Sequence, residues 1–258
     1  MKMVNSFDIN YLRQDEAYDA SKLMCCAFGH GYDVWHGIEL SVGNMVKGYP
    51  FEVDGVKFHN SESAYIAAGF SLGTPEHLAI QQELVDCNNG FHAKKNIRHF
   101  NSHLMRSDWE EFNVAWMQYV VWCKCVGNID FARKLTSIPR EAIIIENSTF
   151  QNGYAAQFWG TKNFELKRLI LDLKKELKAQ GWNKAAQKRE TDARRLGEWS
   201  TVGVFRGKNV MGKILMACRE ALLTGMPPMI DTDYLKAAHI TLLGRPLSFE
   251  TATKTLMV

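Results

Sequence analysis

Two glycines bracketing a lysine and an asparagine, Gly207-Lys208-Asn209-x-x-Gly212, begin the stretch of this sequence richest in chemical possibilities. Behind them Ile214, Leu215, Cys218 and Leu222 recur at helical spacing, so the glycines sit in a loop that feeds a helix. The first turn of a helix leaves backbone N–H groups unpaired and carries partial positive charge. A loop at that place, with Arg206 and Lys208 beside it, can hold an anion such as a phosphate, or can simply be a helix entry with a surface lysine. A second candidate is Glu62. Asn60-Ser61-Glu62 opens a helix that continues through Tyr65, Ile66, Ala68 and Phe70, with Ser61 expected as its N-cap. A carboxylate there suits acid–base chemistry, and it equally suits the helix dipole for purely structural reasons.

The elements that must position these residues are legible in outline. Phe51-Glu52-Val53 and Val56-Lys57-Phe58 alternate about Asp54-Gly55, which predicts a hairpin over 50–58. Ala142 to Glu146 is a β-branched run of the length of a buried strand. Most of the rest reads as helix: a helical N-terminal segment within Phe7 to Ala27, a helix begun by Thr74-Pro75, a long one begun by Asp108 with an aromatic stripe, and one from Phe164 to Ala179. The expected fold is therefore a helix-rich α+β single domain, residues 1–258, with a small β element. Residues 161–206 form a helical basic insertion within it.

Composition excludes several classes. At 258 residues and 46% apolar content the chain can bury a sizeable core. No apolar run approaches the roughly 20 residues of a membrane span, and the N-terminus lacks a secretory h-region, so a cytoplasmic protein without membrane contact is expected. The six cysteines have no C-x-x-C pair, and reduced thiols with neither metal nor cofactor are expected. The net charge of +3 is small, but between Lys162 and Arg195 eleven Lys/Arg face five acids. Such a segment attracts phosphates or forms a solvated helix face.

Four landmarks follow one another in order: Ser41 to Asn44 leading to the hairpin; Ser61-Glu62-x-x-Tyr65; Ile143 to Asn147 followed by Phe158-Trp159-Gly160; and Gly207-Lys208-Asn209-x-x-Gly212-x-x-Leu215-Met216-x-x-Arg219. In this order they resemble the NADAR family, across roughly Glu39 to Leu223. The chain departs from the family pattern at Ser63, Ile66 and Gly69, where members commonly carry His, Gln and Lys, and at Ala155 to Phe158, where an Asp is usual. The Ser61-Glu62-x-x-Tyr65-Ile66 variant looks more like the antitoxin members paired with DarT-type DNA ADP-ribosyltransferase toxins than like the small riboflavin-pathway members.

What the resemblance implies is hydrolysis of an N-glycosidic bond: an ADP-ribosylglycohydrolase that removes ADP-ribose from guanine bases of DNA. Its alternatives are an N-glycosidase acting on ribosylaminopyrimidine phosphates, or a non-catalytic ADP-ribose or NAD reader. On this reading Glu62 stabilises the cationic sugar or activates water, and Lys208 holds phosphate or attacks the anomeric carbon. Arg206, Gly207 and Gly212 cradle the diphosphate, Asn44 and Asn209 bond ribose hydroxyls or phosphate oxygens, and Tyr65, Trp159 and Gly160 line the ligand. Expected partners are ADP-ribosylated DNA, ADP-ribose and a DarT-type toxin.

Overall fold

The computed structural model describes residues 9–29, 34–35 and 38–258. Helix accounts for 52% of the described residues and strand for 13%, which makes it a helix-rich α+β protein. Among the described residues each sheet has only two strands, and no helix is long and apolar enough to cross a membrane. The chain divides into two compact units, each discontinuous in sequence. Of the described residues, the first takes Ile9, Val42–Ser137 and Ala217–Val258; the second takes those within Asn10–Ser41, and Ile138–Met216.

In the first unit the expected hairpin pairs Phe51–Val53 with Val56–Phe58, Phe51 opposite Phe58. Asp54 and Gly55 both have positive φ, 47° and 81°, as a tight primed turn requires. The Asp54 carboxylate does more than turn the chain: it accepts hydrogen bonds from the Tyr119 hydroxyl and the Phe249 amide, tying the hairpin to the long Trp109–Gly127 helix and to the C-terminal segment. The next helix, Ser61–Ala67, is buried along its whole length because its residues are mostly small. Trp116 of the long helix donates its indole N–H to the Ala64 and Tyr65 carbonyls, both at 3.1 Å, and fixes the short helix in place.

Two caps differ from expectation. Asn60, not Ser61, is the N-cap, its amide oxygen accepting from the Ser63 N–H at 2.8 Å while its NH2 reaches the Cys87 carbonyl at 3.0 Å. An asparagine can do both, since it carries acceptor and donor on one group. Asp108 precedes the long helix without capping it, because Arg106 takes both of its oxygens, at 2.9 and 2.6 Å. Thr74 and Asn163 do cap, accepting from His77 N at 3.3 Å and Leu166 N at 2.9 Å.

The second unit corrects the reading of the N-terminal segment. Helix is confined to Ile9–Leu12 among the described residues of that stretch, and strands Glu16–Asp19 and Cys25–Phe28 follow. Their partners decide the matter: Glu16–Asp19 runs antiparallel to Val204–Gly207, and Cys25–Phe28 runs parallel to the expected strand Ile143–Glu146. Weak helical spacing yields to ladders formed with residues far along the chain. Tyr18, Cys25, Ile143, Ile145, Leu166, Ile170 and Phe205 form the core under these strands. The basic stretch is ordered as two helices, Phe164–Ala179 and Lys184–Leu196, the first contributing Leu166, Ile170, Leu173 and Leu177 to the interior.

Candidate functional site

Of the sequence-derived candidates, Asn44, Glu62 and Tyr65 come together in the first unit. The Glu62 amide donates to the Asn44 carbonyl at 3.2 Å, which seats the first turn of the helix against the segment that carries Asn44. The Asn44 side chain also hydrogen-bonds the Glu62 carboxylate. Glu62 is only 5% exposed, which makes its charge costly unless something opposes it. What opposes it had no place in the motif reading: Lys94, whose Nζ lies 4.0 Å from Glu62 Oε1, and Arg98. Burial pushes the Glu62 carboxyl above its ordinary range, and Lys94, Arg98 and Asn44 pull the other way without cancelling it. Tyr65, one turn on, packs its ring 4.8 Å from that of Trp109, and burial raises its hydroxyl well above the usual tyrosine range.

Lys94 and Arg98 come from Ala93–Arg98, which winds as a π-helix between the short Gly90–His92 turn and Ser102–Leu104. Such turns are rare and occur mostly as single insertions, often at functional sites. The sequence shows this stretch as basic and histidine-bearing, but nothing in its spacing marks a π turn or points it at Glu62.

Trp159, Gly160, Arg206, Gly207, Lys208, Asn209 and Gly212 belong to the second unit, and there they do structural work. The Asn209 side chain is engaged at both ends by the buried strand, its oxygen accepting from Glu146 N at 3.0 Å and its NH2 donating to Ile144 O at 2.9 Å. The Lys208 and Asn209 amides donate to the Gln157 and Gly160 carbonyls at 2.7 and 3.2 Å. Two backbone donors that a phosphate cradle at this loop would use are thus committed within the protein. Arg206 is exposed and exchanges backbone hydrogen bonds with Lys162, each 2.9 Å. Trp159 is half-buried, edge-on to Phe158 with ring centroids 5.3 Å apart.

The glycines of this motif permit close packing. A Cβ on Gly207, at φ 151°, would stand 2.5 Å from the Gly160 carbonyl oxygen, and one on Gly212 would meet the Ile144 carbonyl oxygen and the Asn209 side chain. Gly212→Ala should accordingly destabilise the protein by about 2–3 kcal/mol, although alanine is the better helix former by about 1 kcal/mol. Thermal unfolding checks it; an unchanged midpoint would show that the helix start shifts freely.

Lys208 donates its ammonium to the Arg13 carbonyl at 2.8 Å and lies 3.3 Å from the Asp15 carboxylate. A second lysine that the motif reading passed over, Lys213, is buried and donates to the Tyr11 and Gln14 carbonyls at 3.0 and 2.9 Å, with Glu16 at 3.4 Å. Together they clasp residues 11–16 onto the start of the Val210–Thr224 helix. Desolvation lowers the Lys213 ammonium below the usual lysine range, while Glu16 acts to raise it.

On the basic helices many cations are committed. Lys188 pairs with Asp192, Arg194 with Glu190 and Glu198, and Arg195 with Asp192. The exception is the Phe164–Ala179 helix, where the Lys167 and Lys174 ammoniums lie 5.9 and 5.7 Å from the ring centre of Phe150, itself 52% exposed.

No protein-family model matches the chain, and no curated protein matches it. The resemblance to the NADAR family therefore stands on the ordered motifs and enters as part of a proposal.

Proposed function

We propose that this chain is a NADAR-type ADP-ribosylglycohydrolase that removes ADP-ribose from guanine in DNA and serves as the antitoxin to a DarT-type toxin, acting in the cytoplasm. The observation that carries this reading is the buried Glu62 carboxylate, held by Asn44 beside Lys94 and Arg98. Hydrolysis of a ribosylamine needs a group that withstands a developing positive charge at the anomeric carbon and takes a proton from water. A carboxylate raised by burial is the stronger base for that step.

In the proposed reaction the water oxygen bonds to the anomeric carbon as the carbon–nitrogen bond breaks. The bonding pair leaves on the guanine amine, and Glu62 accepts the water proton and passes it to that amine. Lys208, with its ammonium already bound to Arg13 and Asp15, serves this reading as a clasp rather than as a nucleophile. Lys167 and Lys174 around the exposed Phe150 ring suit a passing DNA strand, lysines to the phosphates and ring to a base.

The test is release of ADP-ribose from a guanine-modified oligonucleotide by the purified protein, followed by chromatography, with borohydride added to parallel samples. Release is expected, with no reduced adduct at Lys208. Binding of ADP-ribose without release would instead identify a reader, and turnover of a ribosylaminopyrimidine phosphate alone would identify a metabolic glycosidase.

A further inference from the structure

Along the π turn, Lys94, Lys95 and Arg98 join His99 and Ser102 in lining an open cavity of about 260 Å³. Among the described residues neither Lys95 nor Arg98 has a carboxylate within salt-bridge reach, and Lys94 meets only Glu62, at the 4.0 Å limit. The contrast with the Lys184–Leu196 helix is informative, since cations there pair with acids one turn away. Three cations gathered on one cavity repel one another, and that cost is removed when an anion of two or more charges sits among them.

From this we infer that the π-turn cavity is a binding site for the diphosphate group of a nucleotide-type ligand. Its volume lies just under the roughly 300–1,000 Å³ of complete small-molecule sites, which suits two phosphoryl groups with the sugars outside. Arg98 offers a planar fork for paired phosphate oxygens, while Lys94 and Lys95 act as point charges. Glu62 at the edge of the cluster would repel an anion placed beside it, so the diphosphate settles toward Lys95 and Arg98. One ribose is then left directed at the carboxylate. That last placement rests on the reading of Glu62 above, whereas the anion binding does not. This transfers the phosphate-holding role from the Arg206–Gly212 loop, whose Lys208 and Asn209 amides are committed, to a stretch whose Lys95 and Arg98 have no carboxylate within salt-bridge reach among the described residues.

Calorimetry with inorganic pyrophosphate and with ADP-ribose tests it, on the wild-type chain and on Lys95→Ala, Arg98→Ala and their double variant, with Lys188→Ala, whose ammonium is paired with Asp192, as a control. Both probes should bind the wild type, and each single change should weaken them about tenfold, the value of one charge-assisted hydrogen bond. Lys188→Ala should leave both affinities unchanged, and thermal unfolding should show the variants folded, since Lys95 is exposed and Arg98 half-exposed. Absence of pyrophosphate binding, or equal weakening by Lys188→Ala, would overturn the site. Pyrophosphate binding without turnover of modified DNA would refute the proposed reaction and leave the site standing. Turnover with a KM insensitive to Lys95→Ala and Arg98→Ala would keep the reaction and refute the site.

Discussion

Glu62→Gln is expected to lower release of ADP-ribose from modified guanine by about 10²–10⁴-fold, the usual contribution of a positioned general acid or base. Glutamine keeps the shape and the Asn44 hydrogen bond within reach, so thermal unfolding should change little. The wild-type pH profile supplies a second readout. Burial holds the Glu62 carboxyl up, so the acid limb of kcat/KM should lie above the value of about 4.3 for an ordinary glutamate. Activity falls as pH drops through that point, because the protonated acid has no base function left. The residual rate of Glu62→Gln should lack the limb. A folded variant that retains more than about a tenth of wild-type turnover would remove Glu62 from the chemistry, and the helix-dipole explanation would then suffice.

A second large effect concerns stability. Lys124, within the Trp109–Gly127 helix, is buried, its Nζ has no hydrogen-bond partner among the described residues, and it faces the rings of Phe131 at 4.1 Å and Tyr49 at 5.4 Å. Desolvation pushes its ammonium down to about 7. In the unfolded chain a lysine binds its proton up to about 10.4, so between these values the unfolded state holds a proton that the folded state lacks. Stability is therefore lost as pH falls from about 10 to about 7, and the loss levels off below that, once both states are protonated.

Lys124→Met removes the unpaired amine and should raise stability at pH 7 by about 1–3 kcal/mol. The gain should shrink as pH approaches 10. Urea midpoints at a series of pH values measure this. A lower midpoint for the methionine variant at pH 7 would show that attraction of the ammonium to the two rings outweighs its desolvation.

The sequence was legible wherever short-range physics decides. Asp54-Gly55 announces its turn, Thr74-Pro75 its helix, and the β-branched Ile143–Glu146 its strand, because turn angles, caps and side-chain branching act within a few residues. Glu16–Asp19 was illegible because its partner strand comes at Val204–Gly207, and no local pattern encodes a pairing over that separation. The site divides in the same way. Glu62, Asn44 and Tyr65 could be found from ordered motifs, whereas Lys94 and Arg98 became visible only when the π turn brought them to Glu62. Lys124 and Lys213 carry no signal at all, since a buried lysine in a helix reads like any surface one. The motif Gly207 to Gly212 reads as an anion-holding loop, whereas its glycines make room for the protein's own strand and turn carbonyls.

The pairing of Glu16–Asp19 with Val204–Gly207 also sets a schedule for synthesis. At about 5–20 residues per second the early strand leaves the ribosome about ten to forty seconds before its partner exists. Throughout that interval Tyr18 and Cys25 have no Phe205 to pack against, and the lysines that clasp residues 11–16 have not yet been made. The nascent chain thus carries an uncovered strand edge until Val204–Gly207 is made, and that edge is open to misassembly throughout the interval.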